Sequence, residues 1–171
     1  MAVLEILHHP DPRLRQKART VADFGPQLQR LIDDMFETMY AEPGVGLAAT
    51  QVGVALRLAV MDISEDKTER RVLVNPEIVS AEDLQEMEEG CLSVPDYRDT
   101  VKRYNRLRMR ALDRDGKPYE IDAEGLFAQC VQHEIDHLDG KLYIDYLSPL
   151  KRERLKKKLA KEARERRAGA R

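Results

Sequence analysis

Residues 123–140, AEGLFAQCVQHEIDHLDG, place three ionisable side chains on the wrong side of a helix. At 100° per residue, Leu126, Phe127, Cys130, Val131, Ile135 and Leu138 share one broad arc. Ala128, Gln129, Gln132, Asp136 and Asp139 lie opposite, and Gly140 closes the helix as its C-cap. His133, Glu134 and His137 fall on the apolar arc. Buried polar and charged groups cost several kcal/mol unless they are paired or ligated. Whatever fold the chain adopts must supply partners for these three near its centre.

A metal ion supplies them. Histidines at i and i+4 stand one turn apart on one face, so both imidazoles reach a single ion. The glutamate directly after the first histidine points beside that ion, where it handles a proton of bound water. From average residue usage, an HExxH string arises by chance in only about a few per thousand chains of this length. A catalytic site needs a third protein ligand and one open position. The zincin comparison seeks the third ligand downstream, but Tyr143 stands where the metzincin pattern requires histidine, and Glu153 and Glu162 belong to a basic tail. Cys130 lies about 10 Å along the helix from His137, at 1.5 Å per residue, and reads as a small apolar wall residue. Cys91, in MEEGCLSVP beside Gly90, completes a set of one thiolate and two imidazoles.

The rest of the chain frames this helix. Residues 23–44 carry Leu28, Leu31, Ile32, Met35, Phe36, Met39 and Tyr40 at helical spacing, with Pro26 in the first turn and Pro43 and Gly44 at the stop. VGVALRLAVMDI (52–63) and RRVLVNPEIV (70–79) read as strands, and residues 100–123 as a hairpin turning at Asp115 and Gly116. In that hairpin Arg106, Arg108 and Arg110 alternate with apolar residues, as on the solvated face of a strand. Helices and strands do not alternate regularly, so the expected class is α+β, with antiparallel sheets packed around the central HExxH helix and a C-terminal helix.

At 171 residues, 35% charged and 42% apolar, the chain reads as one soluble domain: a catalytic body, 1–148, and a basic helical tail, 149–171. The net charge of −2 conceals +8 in the tail and −10 in the body. Leu155, Leu159 and Ala163 give the tail a narrow apolar stripe for docking; its charge suits phosphate backbones. Two cysteines form no disulfide framework, no apolar run approaches a membrane span, and the first residues carry no basic leader. The expected location is the cytoplasm.

Three motifs, GVGLAATQ (44–51), EGCLS (89–93) and QHEIDH (132–137), together with the opening ILHHPDPRLRQKA, resemble the bacterial-type peptide deformylases over essentially the whole chain. That resemblance implies removal of the formyl group from the N-terminal formyl-methionine of new polypeptides, with formate released. It implies Cys91, His133 and His137 as metal ligands and Fe²⁺ as the ion, with Zn²⁺, Ni²⁺ or Co²⁺ as substitutes. Hydroxide generated on the ion would attack the formyl carbon with Glu134 as general acid and base. Gln51 and the backbone N–H of Leu92 would bind the formyl oxygen, and Gly46 would let the substrate backbone lie close. Val45, Cys130 and Arg98 are implied around the methionine pocket. The resemblance also implies a tail that meets the ribosome near the exit tunnel, and the expected assembly is a monomer. Two other readings use the same residues: a zincin-like endopeptidase with a downstream ligand, and a structural metal site in a nucleic-acid-binding protein. The first needs a ligand beyond His137. The second needs a fourth protein ligand and gives Glu134 no work.

Overall fold

The computed structural model describes residues 2–169. Helix α1 (Pro26–Ala41) starts with Pro26 in its first turn, behind Gly25, and ends before Pro43, as its spacing predicts. Strands β1 (Gly46–Ala48), β2 (Leu58–Met61), β3 (Arg71–Cys91), β4 (Val94–Leu112) and β5 (Pro118–Glu124) follow, then α2 (Leu126–Leu138) and α3 (Pro149–Gly169). The strands form one antiparallel sheet in the order β1-β2-β3-β4-β5, so the expected antiparallel strands belong to a single continuous sheet.

Strand alternation explains how that sheet carries a helix on each face. Successive side chains of a strand point to opposite sides. In β2, Leu58 and Val60 join the cluster built by Leu28, Ile32, Met35, Phe36 and Met39 of α1. Ala59 and Met61 join the cluster containing Ala128, Cys130, Val131 and Leu138 of α2. Leu47 and Ala48 of β1 divide in the same way. The HExxH helix therefore lies on the sheet, with apolar residues from β1 to β5 beneath it.

Of the strand read over 52–63 only Leu58–Met61 pairs in the sheet, Val52 closing a short 3-10 turn before it, and two further features differ from the sequence reading. Strand β3 does not end near Val79 but runs on through SAEDLQEMEEGC to Cys91, paired with β4 almost throughout. Ionisable residues in that stretch mask the strand because its outer face is exposed and its inner face carries Glu89. The long β3/β4 hairpin is what brings Cys91 back to α2. The register slips between Val74 and Glu77, where Pro76 has no N–H to give the ladder and Asn75 instead exchanges hydrogen bonds with the Val21 backbone.

The second difference concerns the burial of α2, which is wider than its apolar arc. Ala128 and Gln132, both assigned to the polar side, are buried, and the Gln132 carboxamide bonds the backbone of Tyr104 in both directions. Leu126, assigned to the apolar arc, is 52% exposed. The C-terminus of the helix follows expectation more closely: Asp139 takes the cap position and Gly140 adopts φ 77°, the left-handed conformation that follows a helix end. Helix α3 docks by the predicted stripe, with Leu155 buried and Leu159 packed against Val94, Val101, Tyr143, Ile144 and Leu147. Arg106, Arg108 and Arg110 point to solvent and pair with Glu82, Asp83, Glu120 and Asp122.

Candidate metal centre

Cys91 at the end of β3 and the two histidines of α2 converge. The Nε2 atoms of His133 and His137 are 3.0 Å apart, and Cys91 Sγ lies 3.3 Å from His137 Nε2. All three ligand atoms fall within 4.8 Å of one another. Two ligands on one ion, each bonded at roughly 2.0–2.3 Å, stand about this far apart. The downstream carboxylates of the endopeptidase reading are elsewhere: Glu153 and Glu162 lie on α3, with Glu153 exposed and Glu162 beside Lys158.

The protons of the site are arranged for ligation. His133 presents Nδ1 to Glu89 Oε2 at 2.6 Å, which aims its Nε2 at His137. Burial lowers its pKa, but Cys91, Glu134 and the Glu89 bond outweigh burial and hold it well above the ordinary value, so ligation exchanges the Nε2 proton for the ion. Burial, with His133 beside it, pushes the His137 imidazole well below its ordinary pKa, so it stands neutral, as a ligand must. Glu89 is itself gripped. Arg103 donates to both its oxygens, at 3.0 and 2.6 Å, and reaches Asp136 at 2.6 Å. Burial alone would raise the Glu89 carboxyl, but His133 and Arg103 outweigh it and hold it at about 2. Arg103 and Glu89 are each under 5% exposed.

Glu134 sits beside the trio, 2% exposed, with Oε1 hydrogen-bonded to nothing among the described residues. An unpartnered buried carboxylate oxygen is costly, and a reacting water is a natural partner for it. Burial pushes this carboxyl up to about 7, the neighbouring Glu89 adding to the shift and His133 and Arg103 opposing it. Gly46 of β1 packs directly against it. A Cβ there would collide with Glu134 Oε2 and lie 2.8 Å from Cys130 Sγ. Cys130 Sγ is 3.9 Å from Glu134 Oε2, and burial followed by that carboxylate's charge pushes its thiol well up. Cys130 is not among the side chains whose ligand atoms converge with the two histidines.

Gln51 has its carboxamide fixed at one end. The Ala48 N–H donates to its Oε1 at 2.9 Å, which turns Nε2 toward Ser93 Oγ at 3.0 Å and Cys91 Sγ at 3.6 Å. Leu92 occupies the turn between β3 and β4 and packs against Gly44. Val45 is 45% exposed, and the Arg98 side chain lies across Gly90, paired with Glu88. Val45, Gly46, Gln51, Cys91, Leu92, Arg98, Cys130, His133 and Glu134 all line one cleft of about 1090 Å³. A smaller concavity near Arg106 and Glu82 contains none of them.

The folded chain matches the family model of polypeptide deformylases over residues 3–153. The chain belongs to that family. A peptide deformylase of Azotobacter vinelandii is 59% identical over 166 residues, 96% of this chain and 99% of that one. The crystal structure of a peptide deformylase from Legionella pneumophila superposes with a TM-score of 0.92 at 57% identity, covering 96% and 98% of the two chains. That of Ehrlichia chaffeensis, in complex with actinonin, gives 0.90 at 41% identity, covering 95% and 98%. The deformylase family accounts for a hydrolase of the N-formyl group on nascent peptides.

Three residues of the deformylase's cleft region carry geometry that motif reading did not assign: Glu89, Arg103 and Gln129. Gln129, assigned to the polar side of α2, lines the cleft and donates to the Glu88 carbonyl at 2.7 Å and to Glu89 Oε1 at 3.3 Å. Arg103 was findable. It occupies an inward position of β4, between Val101 and Leu107, where the strand alternation calls for an apolar residue.

Proposed function

We propose that Cys91, His133 and His137 hold one divalent ion in this cleft and that the enzyme uses it to remove the formyl group from the N-terminal methionine of new polypeptides. The single observation that carries this reading is the convergence of one sulfur and two imidazole nitrogens beside a buried carboxylate with an unpartnered oxygen. A thiolate with two imidazoles accepts Fe²⁺, Zn²⁺, Ni²⁺ or Co²⁺, and the family resemblance favours Fe²⁺. When bound, such an ion supplies Lewis acidity, lowering the pKa of a coordinated water from 15.7 toward ~7.

The chain's own groups do the remaining work. Glu134 takes a proton from the attacking water and returns it to the amine nitrogen, which is too poor a leaving group unaided. Burial raises its carboxyl, which favours the proton it holds between the two transfers. Gln51 Nε2, oriented by the Ala48 N–H, and the Leu92 N–H donate to the formyl oxygen as charge builds there. Removing one such donor typically costs ~10²–10³ in rate. Gly46 meets the peptide backbone, and Val45 and Cys130, with Arg98 near the entrance, border the methionine side chain. Glu89 and Arg103 hold His133 in its ligating orientation. The exposed cations of α3 attract phosphate backbones, the ribosome's among them, through contacts that weaken with salt. The enzyme acts as a monomer in the cytoplasm.

The test is formate release from a formyl-Met peptide by anaerobically purified protein, with metal content measured in parallel. Glu134→Gln should keep the metal and lose about 10²–10⁴ in kcat. Cys91→Ala should lose metal and activity together. Full activity in Glu134→Gln would contradict the mechanism, and metal retained in Cys91→Ala but lost in Glu153→Ala would favour the endopeptidase arrangement.

A further inference from the structure

We infer that Tyr40 and Asp62, neither of which lines the cleft, are positioning residues that hold its glycine-rich lip against substrate. Residues 42–46 form that lip between α1 and β1, and all five border the cleft. The lip has little side-chain mass of its own, with Pro43 and Val45 exposed. Its place is set by backbone bonds to two neighbours. Gly44 N–H donates to the Met39 carbonyl at 2.9 Å, and the Asp62 N–H donates to the Val45 carbonyl at 2.9 Å. Asp62 is 4% exposed, and its carboxylate is clamped on both oxygens. Tyr40 Oη donates to Oδ2 at 2.6 Å, while the Ser64 N–H and hydroxyl donate to Oδ1. Tyr40 lies in the last turn of α1, so this one carboxylate ties the helix that enters the lip to the end of β2, the strand paired with β1.

The tie matters because of what the lip touches. Gly46 lies against Glu134, and Val45 presents its other side to the cleft. A buried hydrogen bond to a charged group is a stiff restraint, and losing one partner leaves the other unsatisfied. Without it the lip shifts at the segment that meets the peptide backbone. The inference rests on the proposed contact of the lip with the peptide backbone at Gly46.

The experiment compares wild type, Tyr40→Phe and Ser64→Ala on formyl-Met-Ala-Ser and on formyl-methionine alone, with metal content and thermal stability measured for each. The expected result is a rise in KM for the tripeptide of about fivefold to tenfold in Tyr40→Phe and at least twofold in Ser64→Ala. The kcat should stay within twofold and KM for formyl-methionine should barely change. Unchanged tripeptide KM in both variants would overturn the inference, as would equal losses on the two substrates, which mark a general loosening of the fold. Wild type failing to release formate from either substrate would instead sink the proposed function.

Discussion

At the scale of single residues, the chemistry depends on charges being buried in the right company. Glu89 illustrates this. Its folded-state carboxyl, held at about 2 against an ordinary 4.5, is stabilising while ionised. A depressed carboxylate contributes fully above the unfolded value and loses that contribution as pH falls through the folded one. Unfolding free energy should therefore fall between pH about 4.5 and about 2, with part of that slope missing in Glu89→Gln. Denaturant titrations across this window check it, and identical slopes would mean that the Glu89 carboxylate is not ion-paired. That Cys91, His133 and His137 converge was legible in sequence, because histidines four apart on an apolar arc have no cheap alternative to a shared partner. Glu89 was not: in a chain with this many charges, a buried carboxylate looks like a solvated one until β3 and β4 set their register.

At the scale of elements, α2 and the β3/β4 hairpin assemble the site, and their ends decide its position. The C-terminal turn of α2 is fixed by Gly140, whose φ of 77° disfavours a side chain, and a Cβ there would press on the Arg15 carbonyl. Gly140→Ala should destabilise by more than the ~1–2 kcal/mol of the left-handed backbone alone, read as a lower denaturation midpoint with metal affinity preserved in the folded fraction. A neutral result would mean that the segment around Arg15 moves freely. Helices α1, α2 and α3 were readable because their apolar spacing is regular. The far half of β3 was not, since SAEDLQEMEE shows no apolar alternation and gains its strand form from pairing with β4.

At the scale of the whole molecule, an acidic body carries a basic helix that is half structural. Leu155 is 3% exposed within the cluster that includes Tyr143, whose ring lies 6.2 Å from that of His133. A deletion from residue 152 would therefore strip a buried side chain as well as charge. Removing residues 160–171 spares Leu155 and Leu159. It should leave formyl-peptide hydrolysis unchanged while weakening ribosome binding and flattening its salt dependence; unaltered binding would remove the tail from that role. Everything else depends on one ion joining strand β3 to helix α2. X-ray absorption at the metal edge of the zinc-loaded protein tests this most directly. Expected are one sulfur at about 2.3 Å and two imidazole nitrogens at about 2.0–2.1 Å, with the sulfur replaced by oxygen in Cys91→Asp, which keeps a ligand at that position. A shell of nitrogen and oxygen alone, or a sulfur that survives that substitution, would contradict it.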